Sequence, residues 1–383
     1  MNQKKHMFQM LFRAVAWGLF TAACSVLLLV GLFYYYTGTP VGFIKFFRTL
    51  HVVEQNFPGA VDKQDLLNGA LEGIVKKLGD KHSIYLDGDD FQAFSDQTSG
   101  SYAGIGVYIG SSEEGTIVAG VMDDSPAAEA GVQRGDLIQA INGTSTKGMS
   151  LEDISKTIRG PVDTTVTLTL GRNGESQEMA ITRRQIHMKT VGGQMIEGTD
   201  VGYIRVAIFS ENTGEEFTHQ YQELRKQGMK RMILDLRNNP GGIVDQAVAV
   251  ASNFVPKDSV IVSFTSRSGD ESEYKASGSG DTIPLVVLIN ENSASASEIV
   301  SGAIQDLKLG PVIGTKSYGK GTVQGVYPID SDDAIKLTVA KYRTASGREI
   351  DGVGIQPDIE VQLQPNDPED YQYEKALEVV QTL

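Results

Sequence analysis

The chain opens with a hydrophobic block, continues at helical spacing, turns to short alternating runs, and closes with apolar runs separated by amphipathic stretches. From Ala14 to Tyr36 there is no charged residue, and Leu, Val, Phe and Ala dominate. A helix over these 23 residues would run roughly 34 Å at ~1.5 Å per residue, enough to cross the hydrocarbon core of a bilayer. Residues 45–99 read as mostly helical. Leu67, Leu71, Ile74 and Leu78 fall on one face of a helix that Gly79-Asp80 ends. From Ser101 to Arg183 the rhythm changes. Gly104–Ile109, Gly115–Val121 and Leu137–Ile141 predict strands, Pro126–Ala130 and Leu151–Ile158 predict short helices capped by Ser125 and Ser150, and Asn173-Gly174 predicts a hairpin turn between Thr165–Leu170 and Gln177–Thr182.

Beyond Asp200, apolar strands alternate with helical stretches, the pattern of an α/β domain. Strands are expected at Val201–Phe209, Met232–Leu236, Pro284–Ile289, Thr322–Ile329 and Ile335–Ala340. Helices are expected at Asn212–Gln227, Ile243–Phe254 and Ser297–Leu307. The continuous run Pro284–Ile289 suits a strand covered on both faces. Arg267–Asp281 is polar and rich in Gly and Ser, an expected loop or hairpin tip.

Charge orients the first block. Lys4, Lys5 and Arg13 precede it, so the N-terminus is expected in the cytoplasm and the remainder outside, with Trp17 and Tyr34–Tyr36 at the two interfaces. A cleavable signal peptide would have a shorter apolar core and a small-residue cleavage site, whereas three tyrosines follow here. Cys24 follows Ala22-Ala23, as a lipidated cysteine could, but the apolar run continues past it. It is also the only cysteine, so no disulfide supports the exported part. Past residue 13 the chain holds 31 Lys and Arg against 48 Asp and Glu, a net of −17 that disfavours nucleic acid as a partner.

Two stretches carry the strongest chemical signal. Ser295 lies where an apolar strand gives way to a helix, the place where unpaired N–H groups favour developing negative charge. Glu298 has the spacing of a capping box, which ordinary helices also use. Lys320 follows between Gly319 and Gly321. A buried lysine can act as base to a serine, and Gln324 is placed to hold its amine. His51, His82, His187 and His219 stand in no triad context, and no Gly-X-Ser-X-Gly elbow occurs. The stretch Gly314–Lys320 approaches a phosphate-binding loop, but Gly321 stands where Ser or Thr should bind magnesium. Ser272-Glu-Tyr-Lys275 has Ser-X-X-Lys spacing in a polar loop without a buried helix to carry it. The turn Arg237–Gly242 frees the backbone to aim N–H groups at an oxyanion, or is simply a tight turn before a helix.

Ala103–Gly106, Ser125-Pro126-Ala127, Ala130–Val132 with Gly135-Asp136, and Leu137-Ile138 with Ile141-Asn142-Gly143 together resemble a PDZ domain of the circularly permuted bacterial type. Asp235–Gly242, Asn292–Glu298 and Tyr318–Gln324 resemble the motifs of the C-terminal processing peptidases, over roughly residues 45–362. One departure is Gly79–Ser83, where relatives usually show Leu-Asp-Pro-His-Ser. The resemblance implies an α/β protease core of crotonase/Clp type with an inserted PDZ domain, a helical N-terminal segment and one preceding transmembrane helix. Its expected parts are a cytoplasmic N-terminus (1–13), an anchor (14–36), a helical region (45–99), a PDZ domain (100–184), a serine–lysine peptidase core (185–362) and a C-terminal helical tail (363–383).

The implied site has Ser295 as nucleophile in preference to Ser293 or Ser297, Lys320 as base, and Gln324 in support. Ala296 and Gly241, in preference to Gly242, form the oxyanion hole. Gly104, Ile105, Gly106 and Val107 capture a substrate's C-terminal tail. No metal or other cofactor is called for. Partners are proteins or peptides with accessible C-terminal tails, and a homodimer is left open. The expected place is the cell membrane, single-pass, with the catalytic part on the extracytoplasmic side. The rival functions are a non-catalytic PDZ adaptor on a protease scaffold and a hydrolase of non-peptide acyl substrates.

Overall fold

The computed structural model describes residues 2–278, 280–364 and 367–383. One position of the polar stretch Arg267–Asp281 and two of the expected C-terminal tail therefore lie outside the described residues. The chain divides into two units, Met1–Gly79 and Asp80–Leu383.

The first unit is three helices, α1 (Asn2–Thr37), α2 (Pro40–Asn56) and α3 (Lys63–Lys76). Within α1, Phe12–Thr37 has a mean hydropathy of 2.2 and none of it is buried, so by length and composition it can cross a bilayer. Asp62 caps α3 by accepting the N–H groups of Gln64 and Asp65. The apolar stripe predicted for this helix is present as far as Ile74, while Leu78 falls past its end, and Leu67, Ile74 and Leu78 all stay exposed. Spacing reports which residues share a face, and not whether the chain supplies a layer to cover it.

The second unit begins with β1 (Ile84–Leu86), α4 (Gly88–Ser99) and β2 (Ser101–Gly104). A five-strand series follows: β3 (Val107–Ser112), β4 (Gly115–Val121), β5 (Leu137–Ile141), β6 (Thr144–Ser145) and β7 (Thr165–Arg172), with α5 (Pro126–Ala130) and α6 (Leu151–Ile158) between them. Then come β8 (Glu175–Thr182) and β9 (Arg184–His187). Strands β3-β4-β5-β7-β8 form one antiparallel sheet, with β6 beside β5. Its inward side chains, among them Val118, Ile138, Leu168 and Ile181, form a core of their own with Ile154 and Ile158 of α6. Ser125 and Ser150 cap α5 and α6 as expected. Asn173 (φ 53°) and Gly174 (φ 82°) both take the left-handed conformation that a two-residue hairpin requires.

The strand expected over Gly104–Ile109 is broken in two. β2 pairs with β9, whereas β3 pairs with β4. Gly106 (φ 79°) makes the transfer, and a Cβ there would lie 2.3 Å from Cβ of Ser125.

The rest of the unit is β10 (Val191–Met195), β11 (Val201–Val206), α7 (Thr213–Lys226), β12 (Arg231–Asp235), α8 (Val244–Ala251), β13 (Val260–Ser266), β14 (Glu271–Lys275), β15 (Leu285–Ile289) and α9 (Ala296–Asp306). It closes with β16 (Val312–Gly314), β17 (Thr322–Pro328), β18 (Ala334–Thr344), β19 (Ile359–Glu360) and α10 (Tyr371–Val380). The main sheet runs β10-β11-β12-β15-β16-β19, parallel from β11 onward. Period-two alternation decides its two faces. Met232 and Leu234 with Leu285, Val287 and Ile289 face α7, α8 and α9. Ile233, Val286 and Leu288 face the opposite side, where Ala376 and Val380 of α10 cover them. The C-terminal stretch thus packs on its own core. A second sheet, β1-β18-β13-β14 with β17 on β18, lies against the helical face. β14 takes up the middle third of Arg267–Asp281, the stretch expected as a loop or hairpin tip. All its side chains are exposed, so its polar composition hid an edge strand held by main-chain pairing to β13.

Arg237 pins α10 in place. It pairs with Asp235 at 2.7 Å and with Asp370, the α10 cap, at 2.7 Å. Burial opposes its charge, but the two carboxylates outweigh that and hold the guanidinium above its ordinary value. Arg237→Ala strands the buried Asp235 carboxylate, and the expected loss of unfolding free energy is about 3–5 kcal/mol. Urea denaturation of both proteins side by side measures it, and a difference near zero would show the network to be neutral.

Candidate active site

Ser295 sits one residue before α9, after a turn that leaves the fully buried β15. Its backbone has φ 55° and ψ −112°, a conformation a residue with a side chain adopts only when its surroundings enforce it. The enforcing contacts are visible. The Ser295 N–H donates to Glu298 Oε2 (2.8 Å), its carbonyl accepts from the Tyr342 hydroxyl (3.1 Å), and the N–H of Ala294 donates to the Asn239 carbonyl (3.0 Å).

The three serines of the motif are thereby told apart. Ser293 donates its hydroxyl to the Leu236 carbonyl (2.8 Å), and Ser297 donates to the Asn239 carbonyl (2.9 Å); both side chains are wholly buried. The Ser295 hydroxyl donates to nothing among the described residues, and Ser295 lines a cleft of about 720 Å³.

Lys320, Gln324 and Gly241 line that same cleft, with Lys336, Phe94 and Val326. The glycines flanking Lys320 are explained by close approach. A Cβ on Gly321 would lie 2.4 Å from the Asp351 nitrogen, and one on Gly319 would lie 3.1 Å from that of Gly354. Burial pushes the Lys320 amine below its ordinary pKa, and the Lys336 cation adds to the effect; Glu298 and Asp80 act the other way. Its amine makes no hydrogen bond or ion pair among the described residues. Gln324 lies one step along β17, where its amide donates to Thr322 (3.0 Å) and Thr338 (3.3 Å) and not to Lys320. Ser295, Lys320 and Gln324 are therefore gathered in one cleft without being bonded to one another.

Gly241 (φ 100°) lies against the serine. A Cβ there would stand 2.8 Å from the Ser295 Cβ and 2.9 Å from the Ala296 nitrogen. Its N–H, however, donates to Asn239 Oδ1 at 2.9 Å. The N–H groups of Gly242 and Ala296 have no acceptor among the described residues. Gly242 is equally obligate, since a Cβ would lie 2.1 Å from the Phe209 carbonyl oxygen.

Four residues around the site carried little sequence signal. Tyr342 donates to the carbonyls of both Ser295 and Lys320 from the neighbouring sheet. Asn239 joins the glycine turn to the serine turn. Lys336 is half-buried, its amine 5.3 Å from the Phe94 ring centre. His82 faces Lys320 with a buried Nε2 that has no partner among the described residues; burial, followed by the charges of Lys320 and Lys81, lowers its pKa. The Asp80–Ser83 stretch and the Asp235–Gly242 motif, which contains Asn239, offered the hints of this neighbourhood.

In the antiparallel domain, Ile105, Gly106 and Val107 line a small groove between β3 and α6, closed by Ile158 and Arg159. Gly104 does not line it and pairs with Arg184 instead. β3 is the outer strand of its sheet, so its far edge has no strand on it.

A strained serine at a helix mouth and a half-buried lysine, in one α/β domain that carries a PDZ-type insert, define a serine hydrolase with a peptide-binding module. The comparisons agree. The family model described as peptidase family S41 matches residues 200–361, a PDZ domain model matches 117–172, and a model described as the activating protease CtpB N-terminal domain matches 37–90. The chain is 38% identical over 309 residues to a carboxy-terminal-processing protease of Bartonella bacilliformis, covering 79% of this chain and 70% of that protein. It is 34% identical over 323 residues to the carboxy-terminal processing protease CtpA of Bacillus subtilis, covering 84% and 69%. A solved structure assigned to the S41 proteases, from Bacteroides fragilis, shares the fold with a TM-score of 0.54 at 19% identity, over 87% of this chain and 96% of that one. The chain belongs to the C-terminal processing serine proteases of peptidase family S41.

Proposed function

We propose that this chain is a membrane-anchored endopeptidase that cuts exported proteins with a Ser295–Lys320 dyad. The single observation that carries the reading is the contrast among the motif's serines: among the described residues only the Ser295 hydroxyl donates to no backbone carbonyl, and it faces the cleft that holds Lys320.

In the proposed reaction Lys320 accepts the Ser295 proton as Oγ attacks the scissile carbonyl carbon. Negative charge collects on the former carbonyl oxygen, steadied by the N–H of Ala296 and of one Pro-Gly-Gly glycine. Gly241 supplies that donor only if it leaves Asn239; Gly242 needs no such release. The lysine ammonium then protonates the leaving amine as the C–N bond breaks. Water, deprotonated by the same lysine, hydrolyses the acyl-enzyme and restores the serine. Gln324 steadies the amine once its amide turns from Thr322 and Thr338.

Tail binding in the groove of Ile105, Gly106 and Val107, with the peptide added to the open edge of β3, is proposed as the event that brings these groups together. Chain-order parallel strands in the main sheet, with helices α7, α8 and α9 on one face, support a crotonase/Clp-type core. The apolar segment Phe12–Thr37 supports the single-pass anchor, with residues 1–13 cytoplasmic and the peptidase outside. The uncovered Leu67 and Ile74 of α3 support a homodimer.

A fluorophosphonate probe tests the reading. Incubated with the full chain in detergent, it is expected to stop cleavage of a denatured protein and to label the peptide containing Ser295, as read by mass spectrometry. Labelling elsewhere, or cleavage that continues after complete labelling, would sink it.

A further inference from the structure

Glu298 is fully buried, and a carboxylate so far from water must have its charge met by hydrogen-bond donors. No Lys or Arg bonds to it among the described residues. Among those residues its donors come from two segments. Oε2 accepts the N–H of Ser295 (2.8 Å) and the N–H of Lys320 (2.9 Å). Oε1 accepts the N–H of Gly319 (2.7 Å) and the hydroxyl of Ser317, whose oxygen in turn accepts the Ile355 N–H.

A helix cap needs only the first of these bonds. The other three reach 19 to 22 residues along the chain, into the loop that ends at Lys320. One carboxylate oxygen is thus shared between the backbone of the serine and the backbone of the lysine. Tyr342 repeats the pairing from the other side, through the carbonyls of the same two residues.

We propose that Glu298 is the positioning residue of this site: its buried carboxylate ties the Ser295 turn to the Lys320 loop and sets the distance across which the amine must reach the hydroxyl. The inference rests on the reading of Ser295 and Lys320 as nucleophile and base. Glu298 itself touches neither substrate nor the reacting atoms and acts through the backbone of both.

Its charge has a second, measurable effect. The groups facing Lys320 are Glu298 on α9, Lys336 on β18, Asp80 and His82 before β1, and Asp351 beyond β18, which lies near His82 and against Gly321. Glu298 supports the ammonium form. A neutral residue in its place therefore lets Lys320 lose its proton at lower pH.

The experiment compares Glu298→Gln and Glu298→Asp in the full chain, with kcat and KM on a denatured protein across pH. The glutamine turns an NH2 toward donors that need an acceptor. Its kcat is expected to fall about 100-fold with KM within about twofold, since a misplaced reacting pair costs turnover and not binding. The acid limb of kcat/KM should move to lower pH. The aspartate keeps the charge but is one methylene short, so kcat should fall while the limb stays in place. In a Lys320→Ala background the glutamine should add little to the slow labelling of Ser295 by a fluorophosphonate.

A wild-type kcat in Glu298→Gln, an unmoved acid limb, or an equal further loss in the Lys320→Ala background would overturn the proposal. Should the glutamine variant not fold, Glu298→Asp and Ser317→Ala carry the test; both are expected to lower kcat at unchanged KM, and wild-type turnover in both would overturn it. Ser295→Ala, run alongside, separates the two questions: turnover retained there removes the dyad reading itself.

Discussion

Ser295→Ala is expected to lower kcat for peptide hydrolysis by ~10⁴-fold or more while leaving the capture of C-terminal tails unchanged. The size of the effect follows from the neighbours. Ser293 and Ser297 are the only hydroxyls close enough in sequence to substitute, and both are buried and committed to backbone carbonyls. Alanine is nearly isosteric, and the backbone bonds that hold residue 295, from Glu298 and Tyr342, involve no side-chain atom of the serine. Folding should therefore survive. Two measurements settle the matter: cleavage of a denatured protein followed on a gel, and binding of a fluorescent peptide with a free C-terminus against its amidated twin. An adaptor built on a protease scaffold would show tail binding without turnover in either protein. A protein acting on simple esters would lose ester hydrolysis and show no peptide cleavage to begin with.

Lys320→Ala should cost on the order of 10³-fold or more in kcat/KM at neutral pH, because a serine hydroxyl without a base is a poor nucleophile. The pH profile gives the test its sign. Burial, and then Lys336, depress the pKa of the Lys320 amine, so its neutral form becomes available below the usual lysine range. Wild-type kcat/KM should fall as pH drops through that pKa, because the ammonium cannot accept the serine proton. In Lys320→Ala this limb should disappear, leaving a slow rate that climbs with hydroxide. Lys320→Arg should not rescue activity, since the guanidinium stays protonated throughout the range. Robust turnover by the alanine variant at neutral pH would remove Lys320 as the base.

Much of this molecule was written locally. The caps Ser125 and Ser150, the Asn173-Gly174 turn and the buried run of β15 are each decided by a handful of adjacent residues, and each appears where the pattern placed it. The chemical motifs were equally plain, and so was the apolar stretch of α1. The misreadings share a cause. A wet edge strand such as β14 has no hydrophobic period to report, and the break at Gly106 exists because β2 and β3 join different sheets.

What the sequence determined alone, then, was the caps, the hairpin turn and the buried strand β15, the PDZ-type insert, and the two short segments that hold Ser295 and Lys320. Only the tertiary structure decided that Ser293 and Ser297 spend their hydroxyl protons on backbone carbonyls while Ser295 does not among the described residues, that Gly241 has its N–H engaged by Asn239, and that α10 covers the back of the sheet. It alone decided that Glu298, legible as a helix cap, also grips a loop some twenty residues away. Caps, turns and periods arise from torsions and neighbours within one or two turns of chain. A hydrogen bond across the fold depends on where two segments come to rest, and nothing in the spelling of either segment records its partner.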